Sequence, residues 1–172
     1  MLVWLINTVR QKPQTPLAMT DDDFDALWTN LVKRSLRQPS LPLTDDEKVF
    51  YAVNLLRGSV PRSGFIGYFE NWTSSDILAA HRGLKVLGLE TALRLLKEAQ
   101  VIVLGERSLS DDAASLTIFH DSFTDAEYEE ASSKLDDSLA PIQEQFYPLD
   151  DEIYTALSAF ADARHLAPID PT

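Results

Sequence analysis

The sequence predicts an all-α protein, a single-domain helical bundle of about six to eight helices with a glycine-aromatic elbow and an acidic C-terminal half. Three observations lead there. Apolar residues recur at i, i+3, i+4 and i+7 in segment after segment, while strand-like alternation is almost absent. Thr or Ser followed by Asp or Glu precedes most of these stripes, which is the chemistry of a helix N-terminus. A chain of 172 residues also suits one domain and buries roughly 70% of the surface it exposes unfolded.

Residues 1–19 read as an N-terminal segment and linker, with Pro13 and Pro16 opposing regular structure. Thr20 then caps a helix whose first turn holds Asp21, Asp22 and Asp23, and whose stripe is Phe24, Leu27, Trp28 and Leu31. Thr44 with Glu47 forms a capping box for a second helix, with Phe50, Val53 and Leu56 inward and an end near Gly58 and Pro61. Residues 63–72 place four aromatics beside two glycines. They read first as core at an elbow; an exposed Phe65 or Trp72 would instead mark a dimer or partner contact. Ser75 is the expected cap of the next helix, with Leu78, His81 and Leu84 on one face and a stop near Gly88. Leu89, Ala92, Leu93, Leu96, Ala99 and Val103 form a further stripe ending at Gly105, with a strand at 101–104 as the alternative.

A loop or short helix is expected over 108–122. Thr124 and Glu127 repeat the capping box, and Tyr128, Ala131, Leu135, Leu139, Ile142 and Phe146 form the most regular stripe in the chain. Pro141 inside it is expected to kink or break that helix. A last helix from Asp150 carries Ile153, Leu157 and Phe160 inward.

Charge is the strongest single signal. The chain has 15 Lys and Arg against 27 Asp and Glu, a net −12. Residues 106–152 hold 14 acidic residues and two basic ones, Arg107 and Lys134, so that section carries the whole excess and the remainder is neutral. Such a balance opposes direct nucleic-acid binding, which needs Lys and Arg at phosphates. Zero Cys excludes disulfides, thiolate metal sites and cysteine nucleophiles. The run 1–6 lacks a basic n-region, and no stretch approaches the ~20 apolar residues of a membrane span. A soluble cytoplasmic protein is expected, and the Asn71-Trp72-Thr73 sequon carries little weight without a secretion signal.

Catalytic constellations are thin. His81, His120 and His165 lack metal-ligand spacing. His81 reads as a satisfied core or boundary histidine, and His120-Asp121 beside Ser115 or Ser122 defines no triad without geometry. EF-hand order, GxxxxGK[ST] and GxGxxG are all missing. Neighbouring carboxylates such as Asp111-Asp112, Asp136-Asp137 and Asp150-Asp151 diverge on a helix and do not converge on one ion. No enzyme activity, cofactor or metal is expected.

The helix dipole explains acids in first turns, but not the missing counter-charges of 106–152. On a helical wheel with Asp125 at zero, the apolar stripe spans roughly 240–320°. Asp125, Glu129, Glu130, Asp136, Asp137 and Glu144 fall between roughly 0° and 140°, opposite the core. They spread over about 28 Å, one charge per ~5 Å, against one per ~1.7 Å in duplex DNA. Imitation of DNA therefore needs the supplementary acids Asp111, Asp112, Asp121, Asp150, Asp151 and Glu152.

The segment from Leu43-Thr44-Asp45-Asp46-Glu47 to Ser63-Gly64-Phe65-Ile66-Gly67-Tyr68-Phe69-Glu70-Asn71 resembles the bacterial DNA-mimic protein family, long catalogued as a domain of unknown function. That family reads Asn-Gly-Gly-Phe-x-x-Tyr/Phe-Phe-x-Asn before a helix ending Leu-x-x-Ile-Gly. Gly83-Leu84-Lys85-Val86-Leu87-Gly88-Leu89 is similar to that ending, and Ala92, Leu95, Leu96 and Ala99 to the helix that follows it. The likeness covers a core of about 43–104, with Arg62-Ser63-Gly64 where the family has Asn-Gly-Gly. The resemblance implies an all-α, dimeric protein with a family-like loop at Gly64, Phe65, Tyr68, Phe69 and Asn71. It also implies an acidic surface that occupies the DNA site of a basic DNA-binding protein or repressor.

The leading expectation is thus a non-enzymatic acidic interaction protein, involved in transcription regulation, whose partner is a basic protein. An immunity or inhibitor protein against a toxin with a basic cleft is the alternative. An uncharacterised enzyme using the Gly64-to-Trp72 region and His81 is the second.

Overall fold

The first helix starts where a threonine and an aspartate satisfy each other's backbone. Thr20 Oγ1 accepts the Asp23 N–H at 3.2 Å, and the Thr20 N–H donates to Asp23 Oδ2 at 3.3 Å. The computed structural model describes residues 19–37, 42–105, 109 and 125–167. They form α1 (Asp21–Arg37), α2 (Asp45–Asn71), α3 (Ser74–Val86), α4 (Glu90–Leu104), α5 (Asp125–Phe146) and α6 (Asp150–Arg164), with a 3-10 turn at Tyr147–Leu149. Among these residues there is no strand, and 101–104 is helical. The expected element at 108–122, apart from residue 109, lies outside the described residues, as do Thr124 and the side chain of Glu127, whose backbone belongs to α5.

α2 is the central element, in contact with each of the other helices. Its capping box is made as the sequence implies: Glu47 N–H to Thr44 Oγ1 at 3.3 Å, and Thr44 N–H to Glu47 Oε2 at 2.7 Å. The expected end near Gly58 and Pro61 is corrected, because α2 runs through both. A helical Gly costs only about 1 kcal/mol, and Pro about 3. Against that, Phe50, Val53, Leu56 and Val60 before Pro61, and Phe65, Tyr68 and Phe69 after it, are all fully buried, each contributing roughly 1.5–3 kcal/mol. The non-helical residue is Gly64, at φ 65° and ψ −178°. The Phe65 N–H freed by that turn donates to Gln143 Oε1 of α5 at 3.1 Å, so a side chain 78 positions away caps the second half of α2.

Gly58 sits inside α2, and a Cβ added to it would meet nothing within 4 Å. Gly58→Ala is therefore expected to raise the unfolding free energy by about 0.5–1 kcal/mol through lost chain entropy alone. The measurement is the urea midpoint; a lower midpoint would show a contact that this geometry lacks.

The cap of α3 is Thr73, paired with Asp76, and not Ser75: Asp76 N–H meets Thr73 Oγ1 at 3.2 Å, and Thr73 N–H meets Asp76 Oδ2 at 3.1 Å. Its buried face is Ile77, Ala80 and Leu84, with Leu78 and His81 half-buried at the side. Close approach to α2 sets that rotation, since a Cβ on Gly83 would lie 2.5 Å from Val53 Cγ2. α3 ends in a Schellman turn: Gly88 takes φ 71°, Leu89 N–H reaches Leu84 O at 2.9 Å and Gly88 N–H reaches Lys85 O at 3.2 Å.

α4 buries Ala92, Leu93, Leu95, Leu96, Ala99 and Val103 and stops at Gly105. α5 runs unbroken across Pro141, contrary to expectation. Pro141 is exposed, and so is Asp137, the residue whose carbonyl a proline at 141 leaves without its helical N–H. Leu139, Ile142 and Phe146 are buried on the opposite side. In α6 the buried set is Ile153, Leu157 and Ala161. Phe160, expected inside, is only half-buried, with the Arg164 guanidinium 5.5 Å from its ring centre. One core cluster draws side chains from α1 through α6.

Candidate acidic interface

The acidic residues of α5 follow from the stripe that buries its other side. With Leu139, Ile142 and Phe146 held in the core, Glu130, Asp136, Asp137 and Glu144 are exposed. The 3-10 turn then redirects the chain, and Asp150, Asp151 and Glu152 form the first turn of α6, where they suit its dipole. Asp125 and Glu129 belong to α5, but their side chains lie outside the described residues, as do Asp111, Asp112 and Asp121 altogether.

The structure separates these acids into committed and uncommitted groups. Glu130 pairs with Lys134 at 2.6 Å, and that hydrogen bond and charge hold its carboxyl below the usual range. Asp150 turns inward instead. Arg57 of α2 sets Nε and Nη2 at 2.8 and 3.0 Å from its two carboxylate oxygens, and the same guanidinium lies 5.1 Å from the Tyr154 ring centre. Asp150 therefore anchors α6 to α2. Asp136, Asp137, Glu144, Asp151 and Glu152 are exposed and make no ion pair among the described residues.

Of the family-like loop, Phe65, Tyr68, Phe69 and Asn71 are corrected to helix in the second half of α2, and Gly64 is the non-helical turn that precedes them. Phe65, Tyr68 and Phe69 are core residues, and Trp72 is half-buried with its Nε1–H on Ser59 Oγ at 3.1 Å. Phe65 meets Phe146 of α5 edge-on at 5.3 Å, beside the Gln143 contact. The motif is thus the platform on which the acidic helix rests. Burial, reinforced by nearby Asp76, pushes the Tyr68 hydroxyl far up and keeps it neutral. Asn71 is exposed, its amide N–H on Gly67 O at 2.7 Å.

His81 sits at the boundary, its pKa lowered first by burial and then by the Lys97 charge, with the Gln100 side chain opposing both. Its buried Nε2 has no hydrogen-bond partner among the described residues, so the expected satisfied histidine is corrected to an unsatisfied one. It is an uncharged packing residue near neutral pH. Among the described residues no three His, Asp or Glu side chains are grouped to hold a metal ion, and no helix is long and apolar enough to cross a membrane.

Arg57 and Gln143, which position α6 and α5, were not legible in the sequence. Each acts across 78 or more positions, and neither belongs to a local pattern.

No curated protein and no solved structure matches the chain. The family described as DMP19-like protein matches residues 42–164, more than two thirds of the chain. That stretch holds both the α2 platform and the described acidic residues of α5 and α6, and the chain belongs to the DMP19-like protein family, a family of DNA mimics.

Proposed function

We propose that this protein is a non-enzymatic DNA mimic whose α5 and α6 acids occupy the DNA-binding surface of a basic DNA-binding protein. The observation that supports this reading best is the uncompensated group Asp136, Asp137, Glu144, Asp151 and Glu152 on two consecutive helices. An ordinary solvated face mixes signs for i, i+4 pairing; this one keeps its carboxylates unneutralised. A partner evolved for phosphate brings Lys and Arg, and long-range attraction speeds encounter and weakens with salt. In this reading the protein is cytoplasmic, acts on transcription through its partner, and works as a homodimer that doubles the acidic surface.

The test is capture from native lysate at low and high salt, followed by competition with duplex DNA. A DNA-binding protein held at low salt and displaced by DNA is expected. The combined variant Asp136→Asn, Asp137→Asn, Glu144→Gln should weaken that complex about tenfold to a hundredfold at low ionic strength, with far-ultraviolet circular dichroism unchanged. Undiminished binding by that variant refutes the surface assignment. Capture of a toxin, with rescue of poisoned cells, replaces mimicry of DNA with immunity.

A further inference from the structure

A cavity of about 370 Å³ opens between α1 and α2, apart from the acidic residues of α5. That volume falls within the roughly 300–1,000 Å³ of small-molecule sites. Its walls include four aromatic side chains, Phe24 and Trp28 from α1, Tyr51 from α2, and Trp72 beyond the end of α2, beside aliphatic ones from the same two helices. Trp28 and Tyr51 stack at 5.4 Å with 29° between their planes, so each ring fixes the other in the cavity wall.

The polar groups divide sharply into used and unused. Arg57 is spent on Asp150 and Asn54, and Ser59 Oγ receives Trp72 Nε1–H. Asn54 is only 6% exposed. Its Oδ1 must face Arg57, because a guanidinium only donates; the contact is 3.2 Å. The two N–H donors on Asn54 Nδ2 are thereby turned away, with no acceptor among the described residues. Arg62 and Asp25 also line the cavity, are exposed, and make no ion pair among the described residues.

An amide donor, one cation and one anion are thus left over beside an aromatic wall. A simple anion would face the Asp25 carboxylate uncompensated, and a simple cation would face Arg62. We infer that this cavity binds a small zwitterion of the aromatic α-amino-acid type. The ligand carboxylate meets Arg62 and Asn54 Nδ2, its ammonium meets Asp25, and its ring lies against Trp28, Tyr51 and Trp72. This site is independent of the acidic-interface reading and stands or falls separately.

Calorimetric titration of the full chain with L-phenylalanine tests it, with phenylacetate and phenethylamine as singly charged counterparts. L-phenylalanine leaves the emission of Trp28 and Trp72 free to report occupancy. Saturable binding is expected, tighter than for either counterpart. Arg62→Met should weaken L-phenylalanine and phenylacetate about tenfold and spare phenethylamine; Asp25→Asn should show the reverse selectivity. Gly58→Leu, which projects a side chain from the cavity wall into open space, should abolish all three while helicity persists. Absence of saturable binding overturns the inference. So does binding of L-phenylalanine that neither charge variant weakens, or a counterpart that binds the unaltered protein as tightly.

Discussion

Arg34→Met is expected to lower the unfolding free energy by about 3–5 kcal/mol, the cost of leaving one member of a buried ion pair alone. Arg34 and Glu47 are 5% and 6% exposed. The Arg34 guanidinium contacts Glu47 Oε1 and sets Nη2 3.1 Å from Oε2 and 3.2 Å from Pro42 O. The substitution keeps the apolar stem but strands the carboxylate, which then has only the Thr44 N–H and the α2 first turn to stabilise it. Arg34→Met with Glu47→Leu should recover most of the loss, because a buried pair replaced as a unit by apolar groups is close to neutral. Urea unfolding of the two single variants and the double one measures this. A single variant within about 1 kcal/mol of the unaltered protein would show that the pair is solvated in solution.

The same pair has a pH signature. Burial by itself pushes the Glu47 carboxyl up, but the hydrogen bonds and charge of Arg34, with the Thr44 N–H, outweigh it and leave the group below its ordinary value of 4.5. A carboxyl lowered in the folded state stabilises above its unfolded value, and that contribution is lost as pH falls through the folded one. The unaltered protein should therefore lose stability as pH drops below about 4.5. In Arg34→Met, burial acts without its counterweight, so the gap between the two proteins should narrow on acidification. A gap constant from neutral pH to well below that range would contradict the ionised pair.

Gly64→Ala is expected to cost about 2–4 kcal/mol, combining a backbone conformation that is essentially glycine-only with a disturbed hydrogen bond. Gly64 holds φ 65° and ψ −178°, and an added Cβ would sit 2.4 Å from Gln143 Oε1, the acceptor of the Phe65 N–H. Gln143→Ala should cost about 1–2 kcal/mol by leaving that N–H unpaired beside the core. The double variant should lose less than the sum, since removing Gln143 also removes the obstruction, but the strain at Gly64 remains. Denaturant midpoints of the four proteins form the cycle. A neutral Gly64→Ala would mean that α2 does not carry this non-helical turn in solution.

Much of the fold was legible because its causes are local. Thr44 with Glu47, the stripe from Phe24 to Leu31 and the stripe from Leu89 to Val103 act within one or two turns, and each sits where its spacing places it. The misreadings fell where a local rule met burial that it does not contain. Pro61 and Pro141 are helix-breaking by propensity, yet both lie inside helices whose flanking residues are core. Ser75 is a reasonable cap by type; Thr73, two residues earlier, is the one whose partner Asp76 stands at the right distance to complete the box.

By itself the sequence determined that this chain is helical, that its excess charge is confined to 106–152, and that the acids of α5 oppose its apolar stripe. All three are properties of periodicity and composition, set by neighbours along the chain. Tertiary structure alone decided which carboxylates are spent and which remain: Asp150 is taken by Arg57, Glu47 by Arg34, and Asp136, Asp137 and Glu144 are left to water. It also decided that the glycine-aromatic motif is a buried platform under α5. Charge pairing and burial depend on distances between residues far apart in the chain, and no local spacing encodes those.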